Sequence, residues 1–194
     1  MYLFFLKLSR AMAYLGGTML SALVLLTCIS VIGRSINSLM HADFMKENAP
    51  GFATWMLGTG VGPINGDFEL IEAGIAFSIF AFLPLCQITG GHATVDVFTA
   101  RLSPAVNRGL QTVIDLVFAV VLVVIAVQLY AGTESKFTSG QVTFLLEFPL
   151  WWAYALSLGG AVVAAIVSVY IAYARVAELA TGRKMLPENT GAEP

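Results

Sequence analysis

Long runs of apolar residues, nearly free of charge, alternate along the chain with shorter polar segments. A helix needs about 20 apolar residues to cross the hydrocarbon core of a bilayer, and four of the runs are long enough. Because lipid offers the backbone no hydrogen-bond partners, each run is predicted to be a helix that satisfies its own backbone groups. The pattern therefore predicts an all-α integral membrane protein with four transmembrane helices, at about residues 11–33, 70–90, 104–133 and 149–174.

The composition supports a lipid environment. Hydrophobic residues make up 58% of the 194 residues and charged residues only 11%, whereas soluble domains average about 25% charged residues. The net charge of −2 and the lack of a long Lys/Arg cluster exclude a typical nucleic-acid-binding surface. Residues 1–175 are predicted to form a single four-helix membrane domain, and residues 176–194 a polar tail.

Lysine and arginine residues are unevenly divided between the two ends of the predicted spans. The end that includes both termini and the central turn has the larger number, and cytoplasmic segments of membrane proteins carry such an excess. Both termini and the central turn, residues 83–108, are therefore predicted to be cytoplasmic. Seven of these residues lie at that end (Lys7, Arg10, Arg101, Arg108, Arg175, Arg183 and Lys184) and three at the other (Arg34, Lys46 and Lys136).

Two glycines and a serine–proline pair bound the central turn. Gly90 and Gly91 are predicted to end the second helix, because glycine adopts the left-handed conformation of a helix C-terminus at little cost. Ser103 and Pro104 predict the start of the third helix. Serine can cap free backbone N–H groups, and proline at the first helical position loses no hydrogen bond.

The outer segment between the first two spans, residues 35–67, is long and mixed in polarity. Its apolar positions Ile36, Leu39, Met40 and Phe44 recur at helical spacing. They predict a short amphipathic helix that lies in the membrane interface and stops at residues 48–51.

Three acidic residues within or next to the spans are candidate contact residues. Asp115 lies two turns after Arg108 on the same face of the third span. Charged groups inside a membrane are costly and are usually paired or functional, so structural or interface pairing is predicted, and a direct part in an ion path is the alternative. Glu69 and Glu72 share a face at the start of the second span. They could match the helix dipole, contact a partner or hold a cation, and the first two interpretations are preferred.

Small residues form stripes along several spans. Small side chains let helices approach closely, and this contact is a main source of helix association in lipid. The stripe of the fourth span could pack within the chain or against a partner protein. This stripe comprises Ser157, Gly160, Ala161, Ala164, Ala165 and Ser168.

The fourth span opens with Trp151 and Trp152, which are predicted to form an aromatic belt at the outer interface.

Neither cysteine nor histidine residues form a recognisable site. Cys28 and Cys86 lie in separate apolar runs without metal-ligand spacing. His41 and His92 fall on opposite sides of the membrane in the predicted topology, which argues against a haem held by two histidines. The sequence shows no catalytic motif, so we expect neither an enzyme nor a resident cofactor.

The order of several short motifs resembles the small membrane subunit of tripartite ATP-independent periplasmic (TRAP) transporters, the DctQ-like family. These are an arginine closing the first span, an acidic entry to the second, a Gly-His-x-x-Val-Asp turn, and a proline–aromatic entry to the fourth. The outer segment is longer than is usual in that family and looks like an insertion. In this sequence the motifs read VIGR at 31–34, ELIE at 69–72, GHATVDVF at 91–98, RLSP at 101–104 and FPLWW at 148–152.

The resemblance implies a scaffold or accessory subunit in a bacterial inner membrane, without a transport path of its own. The expected partners are a large DctM-like permease, which carries the substrate and sodium sites, a periplasmic DctP-like binding protein and membrane lipids. The expected substrate is an organic anion such as a dicarboxylate, keto acid or sugar acid. The residues of interest are then subunit-interface or structural candidates: Arg34, Glu69, Glu72, Gly91, His92, Asp96, Asp115, Trp151, Trp152, Gly160 and Ala164.

Topology divides these candidates between the two sides. Gly91, His92 and Asp96 fall on the cytoplasmic side, where they are predicted to fix the hairpin between the second and third spans at the inner edge of the large subunit. Contacts to a binding protein are predicted from residues 35–67 and 134–147. Two other hypotheses stay open: a haem- or quinone-binding anchor of a redox enzyme, and a small channel that uses Asp115.

Overall fold

A computed structural model describes residues 1–91, 103–181 and Leu186. The described residues form six helices, and their only β-type pairing is an isolated bridge between Val142 and Pro149. Four of the helices are long and apolar enough to cross a membrane, as predicted. The helices are α1 (Tyr2–His41), α2 (Asp43–Asn48), α3 (Pro50–Gly58), α4 (Asp67–Thr89), α5 (Pro104–Ser139) and α6 (Trp151–Thr181).

The long helices pack in the order α1, α4, α6, α5. Helix α1 packs mainly on α4, α4 also packs on α6, and α6 also packs on α5. Within the described residues, α1 and α5 make no close backbone approach. The two middle helices are therefore covered on two sides, whereas the two end helices leave most of their apolar surface open.

Contact between α1 and α4 follows a seven-residue repeat. The buried residues of α1 include Ser9, Gly16, Leu23 and Ser30. A repeat of seven keeps one helix face against a neighbour when the two helices coil around each other. A Cβ added to Gly16 would lie 2.9 Å from the Cβ of Ala81 on α4, so the helix backbones meet closely here.

The described helix ends next to the central turn match their sequence signals. Gly90 has a left-handed φ of 64°, and the N–H of Gly91 bonds the carbonyl oxygen of Cys86 at 2.9 Å, which closes α4. At the start of α5, the Ser103 hydroxyl accepts the backbone N–H of Val106 at 3.4 Å. The predicted positions of these two helix ends are confirmed. The rest of the predicted turn, residues 92–102, lies outside the described residues.

Helix α1 differs from the sequence expectation at its outer end. It continues through Arg34 to His41, so Ile36, Leu39 and Met40 extend the long helix instead of starting a separate one. Polar residues do not stop a helix, and the first break comes at Ala42, which is extended with ψ 143°. Two short helices, α2 and α3, follow this break and meet at Pro50.

Helix α6 also runs beyond the apolar pattern, past Arg175 to Thr181. The side chain of Leu186 is buried in a cluster with Ile88, Ile171 and Ala174. At the same end of the molecule, the ring of Phe5 stacks on Tyr170 with centroids 4.3 Å apart. These contacts place the start of α1 and the ends of α4 and α6 together.

Candidate functional site

A buried polar cluster joins α1 to the start of α4 at the opposite end of the molecule. The Ser30 hydroxyl donates to Oδ2 of Asp67 at 2.5 Å and accepts the backbone N–H of Ile64 at 3.2 Å. Ser30 and Asp67 are both buried. Arg34, one turn further along α1, places a guanidinium nitrogen 3.6 Å from the same carboxylate oxygen and lies over the ring of Phe68. The cluster thereby fixes the chain that returns from α3 to α4.

Two further contacts hold the return loop between α3 and α4 against α1. The amide nitrogen of the Asn37 side chain donates to the carbonyl oxygen of Val61 at 3.1 Å. A Cβ added to Gly33 would overlap the carbonyl oxygen of Gly62. The glycine of the VIGR motif therefore permits the return loop to lie directly on α1, and Arg34 is the half-exposed residue that caps this contact.

Glu69, in the first turn of α4, binds the turn between α5 and α6. Its two carboxylate oxygens accept the backbone N–H groups of Leu145 and Leu146 at 2.7 and 2.9 Å. Glu72 is exposed and has no hydrogen-bond or ion-pair partner within the described part of the chain. The two acids therefore have different surroundings, and only Glu69 contacts another element.

A second polar cluster links α5 to α6 near the other end. Oδ2 of Asp115 accepts Nε of Arg175 at 3.3 Å, and Oδ1 accepts the Gln111 amide at 3.4 Å. Arg175 also reaches Glu178 at 3.4 Å. Asp115 is buried. The geometry pairs Asp115 inside the chain, in line with the predicted structural role.

Of the candidate residues in the central turn, Gly91 is the one that lies within the described residues. Gly91 is exposed and follows directly on the left-handed end of α4. His92 and Asp96 lie outside the described residues. His41 is exposed, and its Nδ1 lies 2.9 Å from the carbonyl oxygen of Asn37 in its own helix. Among the described residues, no group of three or more His, Cys, Asp or Glu side chains could hold a metal ion.

Aromatic residues gather where α5 ends and α6 begins. The Trp151 ring meets Phe137 edge-on at 5.4 Å, and the Trp152 ring stacks with Phe148 at 6.5 Å. Trp152 is half exposed. Such amphipathic rings favour the headgroup level of a bilayer.

The small-residue stripe of α6 is used inside the chain. All six of its members are buried. A Cβ added to Gly160 would lie 2.9 Å from the Cβ of Phe80 on α4, and Ala164 packs in a cluster with Leu122 of α5. Gln87 of α4 donates to the Ser168 hydroxyl at 3.1 Å. Packing within the chain, one of the two interpretations of this stripe, therefore accounts for Gly160 and Ala164.

The corresponding small residues of α1 are open instead. Gly17 and Ser21 lie in a shallow groove of about 500 Å³ on the outer face of the helix, bordered by Tyr14 and Leu25. At the other end of the row, α5 exposes a long aliphatic face that includes Val113, Val117, Val120, Val124 and Val127. Both faces are suited to lipid or to another membrane protein.

A match to a known protein family covers most of the chain. The family described as "Tripartite ATP-independent periplasmic transporters, DctQ component" matches residues 23–178. The chain belongs to the DctQ family. No curated protein and no solved structure matches the chain.

The family makes this DctQ chain the small membrane component of a TRAP transporter, and not an enzyme. The recognition made from motif order is confirmed. The matched range contains both polar clusters, the glutamate contact of the turn between α5 and α6, all of α4 and α5, most of α6 and the second half of α1. The alternative of a redox-enzyme anchor gains no support from the match.

Several structural residues of the DctQ chain were not singled out from the sequence. Ser30 and Gln87 lie in apolar runs and were not among the predicted candidates, whereas Ser168 was identified as a member of the small-residue stripe of the fourth span but not as a hydrogen-bond partner. Asp67 read only as the end of the outer segment. Their partners lie far away along the chain, so spacing alone carries no signal for them; the one clue is a hydrogen-bonding side chain placed within, or directly before, an apolar run.

Proposed function

We propose that the chain is the scaffold subunit of a sodium-coupled TRAP importer for an organic anion of the dicarboxylate, keto acid or sugar acid class. It would act with a large DctM-like permease, which holds the substrate and sodium sites, and a periplasmic DctP-like binding protein. The family match over residues 23–178 carries this proposal.

The packing of the helices supports a scaffold role. Helices α4 and α6 hold the row together, and the end helices α1 and α5 leave apolar faces open. A subunit that broadens a partner within the membrane needs such faces, because contact in lipid is made by close packing of helices. The buried acids found in the structure already have partners within the chain, which suits a subunit without its own transport path.

The distribution of charge supports a location in a bacterial inner membrane with both termini in the cytoplasm. The structure groups the start of α1 with the ends of α4 and α6, and Arg175 lies near that end. Arg34 and Lys136 belong to the opposite end. Among all described lysines and arginines, Lys7, Arg10, Arg108 and Arg175 belong to the end where α1 starts and Arg34, Lys46 and Lys136 to the other, so the larger number lies at the proposed cytoplasmic side.

The short helices α2 and α3 are proposed to lie at the membrane interface on the periplasmic side of the inner membrane. Neither is long enough to cross a bilayer. Phe44, Phe52 and Trp55 are exposed on them, and aromatic residues of this kind favour the headgroup region.

Co-expression with the large permease of the same transporter tests the function. We expect a stable complex after purification, and transport of the anion that requires both subunits and a sodium gradient. A variant of the exposed α5 face, Val120→Asp, should reduce co-purification if α5 faces the permease, and Gly17→Leu should do so if α1 does. Normal transport by the permease without this chain would overturn the proposal.

A further inference from the structure

The turn between α5 and α6 lies within residues 134–147, from which contacts to a binding protein are predicted, and it presents an apolar tip for which the proposed scaffold role gives no reason. Two backbone hydrogen bonds close this turn, from Thr143 N–H to the Phe148 oxygen at 3.0 Å and from Leu150 N–H to the Gln141 oxygen at 2.9 Å. At its tip, Phe144 is 92% exposed and Leu145 is 58% exposed. A flexible polar turn would be enough to connect two antiparallel helices, so this sequence and geometry require another reason.

The tip is held firmly in place by α4. Glu69 binds the N–H groups of both Leu145 and Leu146, and the Leu146 side chain fills the space at Gly66, where even an added Cβ would overlap it. Glu147, next in the chain, has the left-handed φ of 53° that turns the backbone back towards α6. The tip therefore has a defined shape, with its two most exposed apolar side chains turned away from the protein.

Backbone pairing at the tip suits a poorly hydrated environment. In water, exposed N–H groups bind solvent and need no protein partner, whereas in a bilayer each unpaired group costs several kcal/mol. Here the N–H groups of Thr143, Leu145 and Leu146 all have partners within the chain. The tip's polar backbone is thus prepared for removal from water.

The surroundings indicate lipid as the occupant of this surface. The stacked Phe148 and Trp152 follow the tip directly and belong to the residue types that favour the headgroup level. Residues 144–146 have no polar side chain that could select a protein partner by hydrogen bonds, whereas protein interfaces typically include several such bonds. The apolar surface is also continuous along the chain with the membrane-spanning part of α6.

We propose that Phe144 and Leu145 insert into the membrane interface, and that Glu69 holds the turn in the conformation that allows this. The turn would then anchor the end of the α5–α6 pair at a fixed depth in the bilayer. The proposal requires that the long helices span a membrane, but it does not depend on the substrate or on the partner subunits.

A fluorescent label at position 144 tests the insertion. The full chain with Cys28→Ala, Cys86→Ala and Phe144→Cys is labelled with nitrobenzoxadiazole and reconstituted in vesicles of phosphatidylethanolamine and phosphatidylglycerol. We expect blue-shifted emission that is quenched more by headgroup-proximal doxyl lipids than by iodide present on both sides. The matched control is Glu147→Cys in the same background, where iodide should be the stronger quencher. Equal behaviour of the two labels would overturn the proposal.

The role of Glu69 is tested with the same label. Glu69→Ala should shift the emission of the label at position 144 to the red and reduce its quenching by doxyl lipids, whereas Glu72→Ala, one turn further along α4, should change neither. If the protein labelled at position 144 gives the same spectrum with Glu69→Ala as with Glu69 in place, the role assigned to Glu69 is wrong.

Addition of the large permease decides between lipid and protein as the occupant. If lipid covers the tip, quenching by doxyl lipids persists in the complex. Loss of quenching by both doxyl lipids and iodide would assign the tip to a protein interface and overturn the lipid proposal. Circular dichroism and gel filtration verify that each labelled variant is folded.

Discussion

Arg175 and Asp115 lie 3.3 Å apart, from the guanidinium Nε to the carboxylate Oδ2, and connect α6 to α5. Both side chains are mostly buried, at 18% and 10% exposure. The pair lies near the end where α1 begins, and Ser30 with Asp67 forms the corresponding contact between α1 and α4 at the other end. Each of the two helix pairs, α1–α4 and α5–α6, is thus joined through a buried aspartate, Asp67 in the first and Asp115 in the second.

Asp115→Ala is expected to destabilise the protein by about 1–3 kcal/mol, because the mostly buried Arg175 guanidinium loses its closest carboxylate and is left with Glu178. The melting temperature of the purified protein in detergent should fall. Glu134→Ala, on the exposed outer part of α5, is the control and should have little effect. Replacing both partners, as Asp115→Leu with Arg175→Met, should recover part of the loss. Equal melting temperatures for the Asp115 and Glu134 variants would contradict a stabilising pair.

The number of long helices could be predicted from the sequence because each apolar run exceeds the thickness of a bilayer. Helix ends with a local chemical signal, such as Ser103 and Gly90, were also predictable. The outer end of α1 was not, since Arg34 and Ser35 are compatible with a helix and nothing breaks it before Ala42. A charged residue marks where a helix leaves the lipid, but the helix itself can continue beyond that position.

The contacts of the candidate residues were less predictable than the helices. Asp115 was recognised as a costly charge that needs a partner, but Arg175 is 60 residues away along the chain. Similarly, small residues in α1 and α6 look alike in sequence, whereas the α6 stripe is buried and Ser21 of α1 is exposed. Which face of an apolar helix meets another helix depends on its neighbours, and a single amphipathic pattern is absent when both faces are apolar.

Asp67→Ala is expected to loosen the return loop at residues 59–66 on α1. The substitution removes the acceptor of the buried Ser30 hydroxyl and the ion-pair partner of Arg34, and an unsatisfied buried group costs about 1–3 kcal/mol. Hydrogen–deuterium exchange of the loop amides should become faster. Asp43→Ala, an exposed acid in α2, is the matched control. Unchanged exchange in the Asp67 variant would show that the packing at Gly33 and the Asn37 hydrogen bond to Val61 hold the loop without this acid.

Two serines of α6 are expected to respond in opposite ways to removal of their hydroxyls. Ser168→Ala removes the acceptor of the Gln87 amide and should destabilise the protein by about 0.6 kcal/mol, the average for hydrogen bonds between membrane helices. The buried Ser157 hydroxyl has no hydrogen-bond partner among the described residues, so Ser157→Ala should leave stability unchanged or raise it. Unfolding of both variants in mixed detergent measures the difference. A larger loss for Ser157→Ala than for Ser168→Ala would contradict these contacts.

Neighbouring glycines of α6 provide the sharpest test of how the two middle helices pack. At Gly160, an added methyl group would lie 2.9 Å from the Phe80 Cβ and 3.3 Å from the Ala81 backbone nitrogen, so α4 and α6 must separate. Overpacking of this kind costs about 1–3 kcal/mol. At Gly159, no atom lies within 4 Å of the added methyl. Gly160→Ala should therefore lower the melting temperature, while Gly159→Ala should leave it unchanged or raise it, since alanine favours a helix more than glycine does. Because the two substitutions add the same atoms one residue apart, a difference between them reports on the α4–α6 contact and not on helix propensity, and equal effects would show that α6 does not pack on α4 through this face.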